Sequence, residues 1–384
     1  MSVKKLWILT LAAILLLSGC GVGGEEQEDE GDAQVSDLPT TGLGIRNAQN
    51  FDIQYLADGV KLLTDSAGRE LLLVPEGGKA PAGYDDALLV RTPVKRAMYT
   101  STTHVGFLGA LEEDSLYDSI AAVTTEASQW STPQVADRFA NGQITYIVQD
   151  SWTAGDVESI VATAPDLVFT DMSSEGGTAL CTMLDQLAIP YVVVAENQDT
   201  GSEAYLEWLK FFGAFYNLDE KADSLYEEKL DHLEELYRKV ASIPEADRPV
   251  VAFGMVFDGI VYTQSSSSSI AKQLDRAGAV YALQDLEGDG VVQLGMEEFL
   301  DKCRDADILI YDSLPMYMQG TLLDENPLFA EFKAYQNQRV YTMDNGYYMN
   351  SAKVVEKFED LLAMCHPDLA EGHVFTVYQP LQNY

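Results

Sequence analysis

The chain has 384 residues, with 61 aspartates and glutamates against 24 lysines and arginines and a formal charge of −37 at pH 7. So large an acid excess repels nucleic acid and other polyanionic surfaces and excludes them as partners. Four cysteines, at 20, 181, 303 and 365 with no C-x-x-C spacing, exclude both a disulfide scaffold and a structural zinc site.

Residues 1–19 begin M-S-V-K-K, run through L-W-I-L-T-L-A-A-I-L-L-L and end in small residues. That pattern describes an export signal, since a membrane-spanning helix needs about 20 apolar residues. Leu17-Ser18-Gly19-Cys20 resembles a bacterial lipobox, which implies cleavage before Cys20 and a lipid on that residue. Residues 20–45 follow as an acidic tether, with seven acids and no basic residue between 21 and 37. Such a segment repels itself and buries too little apolar surface to order. Loss of the signal with Lys4 and Lys5 takes the charge to −39.

About 345 residues remain, more than one core usually serves, so two lobes are expected. In the first lobe, 46–202, residues 51–75 alternate apolar and polar around Asp58-Gly59 and Ser66-Ala67-Gly68, which predicts short antiparallel hairpin strands. Strands at 96–100, 120–125, 144–148, 166–170 and 191–195 then alternate with helices at 104–111, 133–140, 156–164 and 178–187, the pattern of a parallel sheet. Residues 203–243 read as linking helices: an apolar one at 203–216 and, after Asn217-Leu218-Asp219, a single-faced one at 221–240. The second would reach about 30 Å before Pro244 ends it. In the second lobe, 244–384, the pattern restarts with strands at 250–256, 259–263, 281–284, 308–312 and 340–343 and helices at 270–277, 296–304, 327–335 and 351–365. The fold class is therefore α/β: two Rossmann-like lobes joined by a single long α-helix. One stiff crossing predicts a small closure on ligand binding.

In D-V-E-S-I-V-A-T-A-P-D-L-V (156–168), Ile160, Val161 and Ala164 give a short helix its buried face and Pro165 stops it, but Glu158 fits neither core nor turn. An acid on a first helical turn contributes about 0.3–1 kcal/mol through the helix dipole and needs no further role. A second reading comes from the wider pattern. V-K-R-A-M-Y-T-S-T-T-H-V-G-F-L-G-A-L (94–111), L-A-I-P-Y-V-V-V (187–194), D-R-A-G-A-V-Y-A-L (275–283), L-G-M-E-E-F-L-D-K-C-R-D-A-D-I-L-I (294–310), N-Q-R-V-Y (337–341) and C-H-P-D-L (365–369) stand in order around the linking helix. Together with 156–168 they resemble the extracytoplasmic substrate-binding proteins of ABC importers for iron chelates, haem and cobalamin, the helical-backbone metal-chelate receptor type.

The resemblance implies a monomeric, non-enzymatic lipoprotein without cofactor on the outer face of the cell membrane. It would capture an iron chelate, siderophore or haem, and deliver it to an ABC permease dimer. A corrinoid such as cobalamin or cobinamide is the alternative ligand. A surface enzyme acting on a bound cofactor is the alternative of another class, distinguished by turnover. The resemblance also makes Glu158 and Glu297, or its neighbour Glu298, docking carboxylates for arginines of the two permease subunits.

Open α/β sheets bind ligands beyond the carboxyl ends of their strands. That rule selects Tyr99, Ser101, Thr102, Thr103, His104, Trp130, Trp152, Asp171 and Glu196 in the first lobe. In the second it selects Tyr262, Ser265, Ser266, Asp312, Asn345, Tyr347 and Tyr348, with Ser268 or Ser269 as the N-cap of the next helix. Aromatic faces with hydroxyls suit a large flat or macrocyclic ligand, although each aromatic fits a core equally well. Trp152 leads, because it precedes Glu158 by six residues, where the resemblance places an aromatic in cobalamin binders; the counterpart before Glu297 is Val291. Lys95 and Arg96 fall at the buried start of their strand, which leaves no basic cluster in the cleft and disfavours a trianionic catecholate against a neutral or hydroxamate-like chelate.

D-L-E-G-D-G-V-V-Q-L-G-M (285–296) mimics a calcium loop, but Met296 stands where a bidentate glutamate is required, so it reads as a surface turn. His104, His232, His366 and His373 are scattered, and no metal site follows. No nucleophile elbow, P-loop or acid pair supports catalysis. Cys303 and Cys365, late in helix-like segments of the same half, are candidates for a bridge.

Overall fold

The computed structural model describes residues 43–381 except 200, 289, 314–317 and 319. The export signal, Cys20 and the acidic run lie outside the described residues. Three strands of the body, β1 (Asp52–Tyr55), β2 (Lys61–Thr64) and β3 (Glu70–Pro75), pair as the predicted antiparallel meander. A fourth, β4 (Leu88–Thr92), was not visible in the pattern and adds in parallel to β3. Asp65 fastens this sheet to its neighbour: its buried carboxylate accepts the N–H groups of Ala67, Arg69 and Val193 and pairs with the Arg69 guanidinium.

The first lobe holds β5 (Ala97–Tyr99), β6 (Ile120–Val123), β7 (Thr145–Tyr146), β8 (Leu167–Thr170) and β9 (Tyr191–Val193), all parallel in the order β7-β6-β5-β8-β9. Between them run α1 (Thr102–Ala110), α2 (Pro133–Ala140), α3 (Val157–Thr163) and α4 (Glu175–Leu187). Strands covered on both faces need apolar residues throughout, and every residue of β6 and β8 is buried. The order reverses at β5, so the loops after β5 and β8 diverge there and leave a crevice.

Residues 203–216 do not form the single helix expected. They divide at Glu207 into α5 (Ser202–Leu206) and α6 (Trp208–Phe215). Every residue of α6 is buried, so it is a core helix without a water face. Gly213 allows its close approach to the next helix, since a Cβ there would lie 2.7 Å from Cβ of Ala222. That helix, α7 (Asp219–Val240), has 22 residues and spans about 33 Å. It buries Leu225, Leu233, Leu236 and Val240 along one face, as the periodicity requires.

The second lobe contains β10 (Val250–Phe257), β11 (Ile260–Gln264), β12 (Val280–Tyr281), β13 (Val291–Gly295), β14 (Ile308–Tyr311), β15 (Val340–Met343) and β16 (Tyr378–Pro380). Its helices are α8 (Ser269–Arg276), α9 (Met296–Cys303), α10 (Leu322–Glu325), α11 (Lys333–Gln336) and α12 (Val354–Cys365). Strands β12, β10, β14 and β15 are parallel, but β11, β13 and β16 join antiparallel, so the sheet is mixed.

Four further expectations need correction. The helix at 327–335 is a 3-10 turn, Pro327–Glu331, followed by the short α11, because Pro327 opens the segment and Phe332 is extended. The second half of the calcium-loop mimic is β13, not a surface turn. Cys181, Cys303 and Cys365 are buried free thiols, and burial pushes the last two up to about 12. Lys95 and Arg96 stand just before β5 rather than at its start, and they are exposed rather than buried: Lys95 pairs with Glu76 and Arg96 donates to the Thr163 and Ala164 carbonyls.

Candidate ligand cavity

A cavity of about 460 Å³ lies between the two lobes. The crevice at β5 and β8 supplies its first wall. Ser101 caps α1 by accepting the Thr103 N–H at 3.2 Å, and Ser101, Thr103 and His104 all face the cavity. Glu196, in the turn after β9, ties these groups together. One carboxylate oxygen accepts from the Thr103 hydroxyl at 2.6 Å, and the other lies 3.6 Å from Nε2 of His104. Burial raises the Glu196 pKa, but attraction to His104 and the hydrogen bonds from His104 and Thr103 outweigh it and hold the carboxyl below its usual range. His104 is only 1% exposed, and its Nδ1 is buried without a partner. Asp171, after β8, accepts the N–H of Ser173 at 2.9 Å and the Ser173 hydroxyl. Asp199 accepts the Gln49 N–H at 2.9 Å and the Trp208 indole N–H at 2.8 Å.

The second wall comes from the loop after β15 and from one face of α12: Tyr347, Tyr348 and Ser351, then Val354, Lys357, Phe358 and Leu361. Among the described lining residues Lys357 is the one lysine or arginine. Its ammonium donates to the Tyr347 hydroxyl and lies 4.9 Å from the centroid of that ring. Nearby Asp312, half-buried at the end of β14, has its pKa raised by burial to about 6, with Lys357 opposing the rise. Beside the cavity the lobes touch directly, since a Cβ on Gly106 of α1 would lie 2.6 Å from the Met349 carbonyl oxygen.

Of the residues selected from sequence, Ser101, Thr103, His104, Asp171, Glu196, Tyr347 and Tyr348 come together around this cavity. The others do not line it. Tyr99 is core: its ring stacks on Phe169 at 4.7 Å and its hydroxyl bonds that of Tyr216. Trp130 is buried, its indole N–H on the Thr125 carbonyl. Thr102 opens α1 without reaching the cavity, and Trp152 stands 74% exposed in a loop pinned by Asp150. Tyr262 lies on β11, Ser265 is fully buried, and Ser266 and Asn345 are exposed outside the lining, as Asp312 lies outside it half-buried. Ser268 is the N-cap of α8, accepting the Ala271 N–H at 3.3 Å. The sequence pattern missed Asp199, Tyr205 and the α12 face. Val354, Lys357, Phe358 and Leu361 fall at helical spacing, the same stripe a purely structural helix shows. Among the described residues no group of three or more His, Cys, Asp or Glu is gathered for a bare metal ion.

A cavity walled by two α/β lobes whose chain crosses once between them defines a two-lobed solute-binding protein. Residues 99–347 match the periplasmic binding protein family, and the chain belongs to it. An uncharacterized lipoprotein of Methanocaldococcus jannaschii is 24% identical over 401 residues, covering 97% of this chain and 95% of its own. An uncharacterized ABC transporter substrate-binding lipoprotein of Bacillus subtilis is 21% identical over 365 residues, covering 94% and 97%. Among solved structures, a periplasmic solute binding protein from Veillonella parvula has a TM-score of 0.59 at 16% identity, over 82% of this chain and 89% of that one. A periplasmic heme binding protein from Pseudomonas aeruginosa has a TM-score of 0.55 at 16% identity, over 76% and 96%. At these identities the structures establish the fold.

Proposed function

We propose that the chain is an extracytoplasmic lipoprotein, anchored through Cys20, that captures an iron chelate and hands it to an ABC importer. The observation that carries this reading is the inter-lobe cavity, lined by hydroxyls and tyrosines and by one ammonium, Lys357, against the carboxylates of Asp171, Glu196 and Asp199. So few cations support a chelate that is neutral or bears a single anionic group, such as a ferric hydroxamate, over a ferric catecholate with three negative charges. The Bacillus relative, an ABC transporter substrate-binding lipoprotein by name, supports delivery to an ABC importer, and the heme-binding Pseudomonas protein makes haem the next ligand to try. Titration of the purified protein with a ferric hydroxamate, a ferric catecholate, haem and cobinamide, followed by absorbance and protein fluorescence, tests the reading. Stoichiometric retention of the hydroxamate, with the catecholate at least about a hundredfold weaker, is expected. Retention of none of the four, or chemical conversion of one, overturns it in favour of another ligand or of an enzyme.

Delivery draws support from the two lobes' correspondence. Glu158 is exposed on the first turn of α3, and Glu297 and Glu298 on the first turn of α9. Helix α3 feeds β8, the partner of β5, and α9 feeds β14, the partner of β10. The acids thus occupy equivalent places, which suits a permease with two like subunits. Reversing Glu158, Glu297 and Glu298 to arginine should abolish uptake while ligand affinity stays native. Normal uptake returns these acids to a helix-dipole role.

A further inference from the structure

We propose that residues 44–49, the strap through which the tether enters the folded body, complete the ligand site by fixing one wall of the cavity, with Glu207 and Asp199 as positioning residues; this rests on the cavity just proposed as the binding site. The strap has no regular secondary structure, so its backbone N–H groups need acceptors from elsewhere. Two buried carboxylates supply them in succession. Glu207, fully buried between α5 and α6, accepts the N–H of Arg46 at 2.9 Å on one oxygen, and those of Asn47 at 2.6 Å and Ala48 at 2.9 Å on the other. The next N–H, that of Gln49, goes to Asp199, whose second oxygen holds the Trp208 indole.

The same strap is also tied to the linking helix. The Asn47 side chain donates to the Tyr226 hydroxyl at 2.6 Å, and Arg46 pairs with Glu227. Lys210, 1% exposed, lies 3.4 Å from Glu207 and 2.9 Å from Asp223 and donates to the Gly44 carbonyl at 3.3 Å. Phe51, just beyond the strap, packs on Trp208 with ring centroids 4.6 Å apart.

What this clamp holds is the most irregular part of the cavity. Residues 196–199 and 201–206 contribute Glu196, Asn197, Asp199, Ser202 and Tyr205 to the lining, yet comprise only a 3-10 turn and the five-residue α5. A segment so short on internal hydrogen bonds keeps one shape through its neighbours. Cover alone would need only apolar side chains, whereas buried carboxylates are unfavourable unless their lone pairs are filled, as they are here. The strap also precedes the stretch matched by the family, which begins at residue 99.

The test uses the mature full-length protein and its Glu207→Gln variant, with Asp199→Asn as the milder second variant should the first fold poorly. Hydrogen exchange and the dissociation constant for ferrichrome, a neutral ferric trihydroxamate, are measured below the melting transition. Expected in Glu207→Gln are exchange about tenfold faster in the wall peptides around 196–206, unchanged exchange in β5, β8, β10 and β14, and a dissociation constant about tenfold weaker. Faster exchange confined to residues 46–48, a uniform increase across both sheets, or an unaltered dissociation constant despite a lower Tm would assign the clamp to stability alone and overturn the proposal. If wild-type protein does not bind ferrichrome, the ligand assignment fails, and the exchange comparison still decides whether the strap holds the wall.

Discussion

The first wall of the cavity is a web of mutually satisfied groups, in which Thr103 and His104 hold Glu196, Ser173 holds Asp171, and Gln49 and Trp208 hold Asp199. The second is one helix face with Tyr347 folded over Lys357. In the first, most charge is answered inside the protein, so the wall offers hydroxyls in a fixed arrangement and little net field. In the second, the Lys357 ammonium, which carries three donors, gives one of them to the Tyr347 hydroxyl. The difference teaches that rigidity and unanswered charge are divided between the lobes; if the cavity is the ligand site proposed above, the first lobe would set its shape and the second would respond to the charge that a ligand carries.

The strongest way to break this contrast is His104→Leu, which strips Glu196 of an attractive, hydrogen-bonding partner while leaving it buried. A destabilisation of about 1–3 kcal/mol in urea at pH 7 is expected for a buried carboxylate left short of a partner. Glu196 has a depressed pKa, so its contribution is present above the ordinary carboxylate range and is lost as pH falls below that range through the lower folded-state value. The variant's deficit should therefore shrink in acid. A variant as stable as wild type at pH 7 would show that the pair does not hold the wall.

Lys357→Met probes the second wall. A ferric hydroxamate with one free carboxylate should bind more weakly by about 1.5–3 kcal/mol, the scale of a charged hydrogen bond. An uncharged hydroxamate should be nearly unaffected. Equal losses for both would mean that Lys357 supports the fold rather than reading charge.

Asp312→Asn sharpens the comparison through pH. Because the folded-state pKa of Asp312 is raised to about 6, the folded protein binds its proton more tightly than the unfolded chain does between about pH 4 and 6. Ionisation therefore costs stability as pH rises through that window. The asparagine variant should be more stable by roughly 2 kcal/mol at pH 7–8, and the gain should vanish below about pH 4. A gain that persists in acid would assign the effect to packing. The smallest effect is expected from Trp152→Ala: 74% exposed and outside the lining, it should change ligand affinity by less than about 0.5 kcal/mol. A loss of 1–3 kcal/mol would extend the site out to that loop.

Much of the scaffold was legible because it depends on near neighbours. The alternation of strands and helices in the first lobe, the single-faced α7 and the serine cap of α8 rest on spacings of two to four residues. The same logic failed wherever an element draws its partners from afar. Strand β4 is recognised through β3, β13 through β11, and β16 through β15, and none has a strong alternation of its own. Seven predicted cavity residues were found by one rule, that ligands sit beyond strand ends. The rule overreached at Tyr99 and Trp130, since a residue at a strand end can turn either outward or into the core.

By itself the sequence determined that this protein is α/β, that a long helix follows the first lobe, and that hydroxyls, acids and tyrosines stand at the strand ends. Only the tertiary structure decided that Glu207 and Asp199 are buried clamps rather than surface acids, and that α12 turns Lys357 toward the cavity. The Glu207 bonds join residues 159–161 positions apart in the chain. A carboxylate's role depends on which donors surround it, and donors brought from that distance leave no mark on the residues beside it.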